Sequence, residues 1–266
     1  MEFQILTMRK ISFILIAILF SSCEKVINLN LANTEPKIVI ESIFTNISTR
    51  HTVSISSTAN FDASNAKVPV TGATVTLQEE NGPTLTFTEP TPGSYLSSRY
   101  RGIPGKKYTL NVTVNGKTYT AISIMPQPVP IQSLKQAELT FFNETRKSVQ
   151  VNYTDPLGIP NFYYNRLFVN TVKRSEFYID SDRFNDGKEV KNNIFIDDPE
   201  LNVGDMVRVQ FLTIDENVYR YLFSITQITG NGGPPTTPAN PNSNFNNGAL
   251  GYFSASTSTE QSMIIE

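Results

Sequence analysis

Tyr108-Thr-Leu-Asn-Val-Thr-Val114, Asn115-Gly116, Lys117-Thr-Tyr-Thr-Ala-Ile-Ser-Ile124 is the stretch that decides the fold class. On both sides of Asn-Gly, apolar or aromatic side chains alternate with polar ones. Each arm can therefore turn one face to a core and the other to solvent, as a strand does. Asn-Gly tolerates the two positive φ angles of a type I′ turn, whose twist matches the strands it joins. The stretch predicts a β-hairpin.

Upstream, Lys37–Phe44, Thr52–Ser56, Ala73–Leu77 and Thr84–Thr88 are short, β-branched or period-2 segments separated by Asn, Gly and Pro. About seven such strands in residues 37–125 predict an immunoglobulin-like β-sandwich. The Cys and Trp of antibody domains are missing, so the kinship is one of architecture. Pro126, Pro128 and Pro130 predict a stiff connector at 126–130. Residues 131–266 then predict a second β-rich (α+β) domain, with strands at Leu134–Phe142, Ser148–Tyr153, Phe162–Val172 and Met206–Ile214. One helix is expected at about 215–229. Asp215 would cap it, and Val218, Tyr221, Leu222, Ile225 and Ile228 would form its buried stripe before Gly230 ends it. Residues 230–248 carry no strand or helix signal and read as a long loop, the kind that is usually functional or disordered. Ala249–Ser256 is the expected last strand, with polar Thr257–Gln261 after it.

Composition narrows the function classes. The formal net charge is -2 and the basic residues come in pairs such as Lys106-Lys107, so no stripe exists to hold nucleic acid. A single cysteine excludes disulfides and cysteine-rich metal sites.

That cysteine sits in an informative place. Arg9-Lys10 forms a basic segment, Ile11–Phe20 is an apolar run too short to span a bilayer, and Ser21-Ser22 are small. Residues 1–22 therefore read as a signal peptide. Leu19-Phe20-Ser21-Ser22-Cys23 resembles the bacterial lipobox, although Phe20 replaces the usual Leu. That resemblance implies a covalent lipid on Cys23, with 23–36 as a lipidated tether. The alternative is a cleaved secretory signal followed by an incidental cysteine. Glu24 just after Cys23 favours display on the cell surface over the periplasmic face of the outer membrane.

Residues able to do chemistry are few. His51, the one histidine, lies in Thr49-Arg-His-Thr-Val53 between two expected strands, and no Gly-x-Ser-x-Gly elbow accompanies it. Asp180, Asp182 and Asp186 suggest a structural calcium. The EF-hand pattern fails because Phe184, Asn185 and Lys191 occupy positions that need a ligand, Gly and Glu. Asp197, Asp198, Glu200 and Asp205 could join them, and a solvated acidic face is the alternative. Paired carboxylates could also hydrolyse a glycosidic bond, but no pair is singled out. Tyr163 and Tyr164, with Phe168, Phe177 and Tyr178, read first as core and second as a sugar or partner contact. Pro234, Pro235, Asn244 and Phe245 in the long loop are the preferred contact residues.

Several stretches together resemble the DUF4249 lipoproteins of Bacteroidetes, a family without assigned function. They are Cys23–Asn28, Glu35–Glu41, Val70–Val75, Pro104-Gly105 before Tyr108–Leu110, Tyr153–Pro156, Asn161–Tyr164 and Asn247–Phe253. The resemblance implies an envelope lipoprotein beside a TonB-dependent β-barrel receptor, engaged in nutrient uptake and without catalytic residues or a cofactor. The expected function is a non-enzymatic binding or accessory subunit for a small-molecule, glycan or peptide ligand. A structural or adhesive spacer is the second reading and a surface hydrolase the third.

Overall fold

The computed structural model describes residues 35–58, 67–141, 144–196, 200–228 and 241–266. Residues Glu35–Glu266 form one compact unit, and it is mainly β. Among the described residues no helix is long and apolar enough to cross a membrane.

The first half contributes β1 (Ile38–Thr45), β2 (Thr49–Ser57), short β3 (Val68–Pro69), β4 (Thr74–Glu79), β5 (Thr84–Thr91), β6 (Ser94–Tyr100), β7 (Lys107–Val114) and β8 (Lys117–Ile124). They run in the order β1-β2-β6-β5-β4-β7-β8, with β3 on the edge of β2. The sheet folds over a core of Ile40, Phe44, Ile55, Leu77, Tyr95 and Leu110. The period-2 pattern produces this directly: in β7 the residues Tyr108, Leu110, Val112 and Val114 are buried and those between are not. The β7–β8 hairpin closes as expected, with Asn115 at φ 49 and Gly116 at φ 78.

The second half adds β9 (Ser133–Phe141), β10 (Glu144–Thr154), β11 (Phe162–Val169), β12 (Val172–Lys173), β13 (Tyr178–Ser181), β14 (Glu189–Phe195), β15 (Met206–Ile214) and β16 (Leu250–Ile264). Strands β14-β10-β9 make a separate sheet. It packs across a core of Val149, Val151, Tyr163, Leu167, Val209 and Phe211 against β11 and β15. The helix α1 (Glu216–Ile228) lies on the opposite face of the large sheet, over β11, β15 and β16, burying Val218, Tyr221 and Leu222 against Tyr164, Leu212 and Tyr252. Its cap is as expected: the Val218 N–H donates to Asp215 Oδ1 at 3.0 Å.

Strand β16 joins the halves. Its first part pairs parallel with β1, from Val39 opposite Leu250 to Thr45 opposite Ser256. Its second part pairs antiparallel with β15, from Thr213 opposite Thr257 to Met206 opposite Ile264. The tail expected to be polar after Ser256 is thus a continuation of the strand. Ser254, Ser256, Thr257 and Ser258 are buried, so hydroxyls stand where alternation alone would look for aliphatics. At Gly251 φ is +90, and a Cβ there would lie 2.0 Å from the Ile40 carbonyl oxygen. The segment expected as a connector at 126–130 lies inside this unit. The carbonyls of Gln127 and Val129 accept from Thr257 Oγ1 and Thr259 Oγ1 of β16, at 3.4 and 3.3 Å.

Candidate functional site

Three elements enclose a cleft of about 840 Å³ lined by residues of β8, α1 and the segment 242–246. Alternation in β8 sends Tyr119 and Ala121 into the core and leaves Thr120 and Ile122 outward. Helical periodicity does the same for α1: Val218 and Leu222 are buried, while Tyr219, Arg220 and Phe223 line the cleft. Asparagine amides fix the third wall. The Asn244 side chain donates to the Phe253 carbonyl at 2.7 Å and accepts from the Phe253 N–H at 3.0 Å. Asn246 Oδ1 accepts from the Thr120 N–H, and the Asn247 side chain donates to the Thr118 carbonyl, both at 2.7 Å. These bonds hold 242–247 beside β8 like an added strand, with Phe245 bridged to Ala121.

The cleft offers aromatic surface and polar reach together. Tyr219 lies between Phe162, at 5.0 Å, and Phe223, at 6.0 Å. Phe223 is 46% exposed and Ile122 50%, a large apolar share for neighbouring side chains. Arg220, paired with Glu216, and Asn217 supply donors on the helix side. An exposed Phe223 beside a partly exposed Tyr219, flanked by amides, suits stacking on a ring or an extended chain, with hydrogen bonds setting the orientation.

A family model described as a domain of unknown function, DUF4249, matches residues 24–262. The chain belongs to the DUF4249 family. The match runs from before β1 almost to the end of β16, so both sandwiches fall within the one family unit. No curated protein matches the chain.

In this DUF4249 chain the contact residues expected from sequence are distributed unevenly. Asn244 and Phe245 are in the cleft wall, but as structural parts: Asn244 ties down Phe253, and Phe245 is only 7% exposed within the first core. Tyr163 and Tyr164 are corrections. They are 0% and 2% exposed on opposite faces of β11, one in the core between the sheets and the other under α1, so neither ring can meet a ligand. Cys23, Pro234, Pro235, Asp197, Asp198 and Gly230 lie outside the described residues. Of the two rings that line the cleft, Phe223 is on the face of α1 away from its buried stripe, and Tyr219 is at the flank, partly buried against the same core. The sequence carried that signal as the aromatic remainder of an amphipathic helix.

His51 belongs to β2 itself, not to a loop between strands. It is buried, its ring centroid is 4.4 Å from that of Phe44, and its Nε2 lies 3.0 Å from the Tyr100 carbonyl oxygen. Burial holds its pKa below the ordinary value, so it is neutral at pH 7. Its ring meets a backbone carbonyl, which gives it a packing role.

The acidic group is re-formed with a different member. Carboxylate oxygens of Asp155, Asp182 and Asp186 lie within 4.8 Å of one another. Asp180 turns instead to the Tyr153 hydroxyl and the Asn192 amide, at 3.2 and 3.4 Å. Asp155 accepts from the Tyr163 hydroxyl, Asp182 from the Asn161 N–H at 2.9 Å and Asp186 from the Gly158 N–H at 2.6 Å. Burial raises the pKa of Asp155 and of Asp180. These bonds make the carboxylates pins for the loops at one end of the second sandwich. Asp205 is elsewhere, bonded to Asn170 and Asn202. Asp155 was missed because 27 positions separate it from Asp182, although Asp155-Pro-Leu-Gly158 reads as a turn.

Proposed function

We propose that this DUF4249 chain is a non-enzymatic binding subunit of the bacterial envelope, held on the outer membrane by lipid on Cys23. It works beside a TonB-dependent β-barrel receptor in nutrient uptake. The observation that carries the reading is the Tyr219–Phe223 cleft, where one exposed ring, one partly exposed ring and several amides are mounted on a helix and sheet braced from behind by two cores. The lipobox-like Leu19–Cys23 supports the anchor.

The test is a mild-detergent pull-down of the tagged chain from its native outer membrane, with mass spectrometry of what is retained. Stoichiometric recovery of a β-barrel receptor that falls when Tyr219 and Phe223 are both changed to Ala supports the proposal. Recovery of the chain alone removes the accessory role and transfers the argument to a structural spacer, for which an immunoglobulin-like sandwich is suited. Changing Cys23 to Ser should release the chain from the membrane fraction; continued sedimentation with membranes would overturn the lipid anchor.

A further inference from the structure

On another face of the molecule, β16 passes from its pairing with β1 to its pairing with β15, and a second cleft of about 480 Å³ lies over this junction. Strand register determines what lines it. Glu41 of β1 stands between Tyr252 of β16 and Ser54 of β2. Arg166 of β11 is level with Gln210 of β15, and Lys173 of β12 is level with Phe168, two residues along β11 from Arg166. Lys67, just before β3, reaches in to pair with Glu41.

The charges do not balance. Arg50, Lys67, Arg166 and Lys173 line the cleft against Glu41, an excess of +3 with His51 neutral, in a chain whose formal net charge is -2. Glu41 is engaged by Lys67. The next carboxylate along the sheet, Glu260, is taken by Arg208 at 3.1 Å and by the Gln210 amide at 2.8 Å. That leaves Gln210 Oε1 pointing back to accept from Arg166 Nη1 at 2.7 Å. The chain Arg208–Glu260–Gln210–Arg166 thus fixes one side of the guanidinium. Its buried Nε–H has no acceptor. Lys173 adds an ammonium at the exposed rim of the cleft, where partial desolvation first and then the Arg166 charge hold its pKa below the ordinary value. A preoriented guanidinium with an unsatisfied Nε–H beside an ammonium, in a cleft where one carboxylate faces four cations, suits an oxyanion.

The rest of the lining indicates the ligand's other groups. Thr49, Thr52 and Ser54 supply hydroxyls, with the Glu41 carboxylate beside them. Such a wall exchanges hydrogen bonds with hydroxyls and offers little to an alkyl chain. The volume is at the lower end of small-molecule sites, which span roughly 300–1,000 Å³.

We propose that this cleft binds a polyhydroxylated carboxylate of about monosaccharide size, its carboxylate seated between Arg166 and Lys173 and its hydroxyls along β1 and β2. The inference goes beyond the proposed envelope role and does not depend on it, because it concerns a separate cleft and is read on the purified chain.

Saturation-transfer NMR and calorimetry with glucuronate, galacturonate and gluconate test it, with glucose, galactose and inorganic phosphate as comparators. At least one acid should bind saturably while the neutral hexoses do not, and phosphate should compete only weakly. Arg166→Gln should weaken binding roughly tenfold or more. Lys173→Gln, at an exposed residue whose loss leaves the packing intact, keeps the test decisive if Arg166→Gln unfolds. Lys135→Gln, at an exposed lysine of β9 outside the cleft, should change nothing. Binding by none of the three acids, equal binding of acids and neutral hexoses, phosphate competing as well as the best acid, or unchanged affinity in Lys173→Gln would each overturn the proposal.

Discussion

The two sandwiches treat buried polar groups differently. In the first, Glu79 is buried at 6% exposure, and the hydroxyls of Tyr100 and Tyr108 donate to it at 2.9 and 3.0 Å. Tyr95, equally deep, donates to the Val70 carbonyl at 2.9 Å. In the second, Asn165 is 0% exposed and neither atom of its side-chain amide has a partner. Asp155, 1% exposed, accepts from the Tyr163 hydroxyl much as Glu79 accepts from its tyrosines, so the difference lies in the amide. A buried amide without partners costs about 1–3 kcal/mol, so the second sandwich tolerates a burden that the first avoids. The first is organised for stability. The second, which carries α1 and the acidic loops, spends part of its stability on polar groups placed inside.

The largest effect should come where the two meet. Gly251→Ala places a Cβ 2.0 Å from the Ile40 carbonyl oxygen, at a φ of +90. It should cost more than about 4 kcal/mol and leave little folded protein; a denaturant midpoint close to that of the parent would break the claim that β16 is tied to β1 there. Next, Leu110→Ala in the first core should destabilise by about 2–5 kcal/mol in urea melts. In contrast, Asn165→Leu should stabilise by about 1–3 kcal/mol, since it replaces an unpaired buried amide by an apolar side chain of similar size. Loss of stability in Asn165→Leu would erase the contrast between the cores.

The smallest effect is one of pH. Asp155, Asp180 and Asp215 all have pKa values raised first by burial. As pH falls from neutral, the folded chain takes up these protons before the unfolded chain does, so these three carboxylates add stability until pH approaches their ordinary value, while His51, its pKa lowered by burial, acts in the opposite sense. Measured with His51→Gln, which removes the opposing group, a melting temperature that falls steadily from pH 7 to pH 5 would contradict this. Asp155→Asn should flatten the rise without abolishing it.

Local signals made much of the first sandwich legible: alternation in β7 and β8, Asn115-Gly116, and the Pro and Gly punctuation. The helix was legible for the same reason, its stripe and its Asp215 cap lying within one short window. What escaped depends on register between distant strands. Thr257 and Ser258 look like a polar tail until β15 is placed beside them. Arg166, Lys173 and Glu41 are unremarkable in sequence, because only the pairing of β16 with both β1 and β15 brings their strands into one sheet. Short β12 and β13 lack the length to show a period, and for Tyr163 and Tyr164 the core reading holds while the contact reading fails because β11 is covered on both faces.

The position of β16 also sets an order of assembly. Asn46 bonds to Ser258 across 212 positions of sequence, so one long edge of β1 stays open until almost all the described chain has been made. Contacts this distant are slow to form, and an unpaired edge can recruit other chains in the meantime. A nascent chain stalled before residue 250 should therefore remain soft to protease and prone to associate, and a peptide spanning β16 supplied in trans should close it.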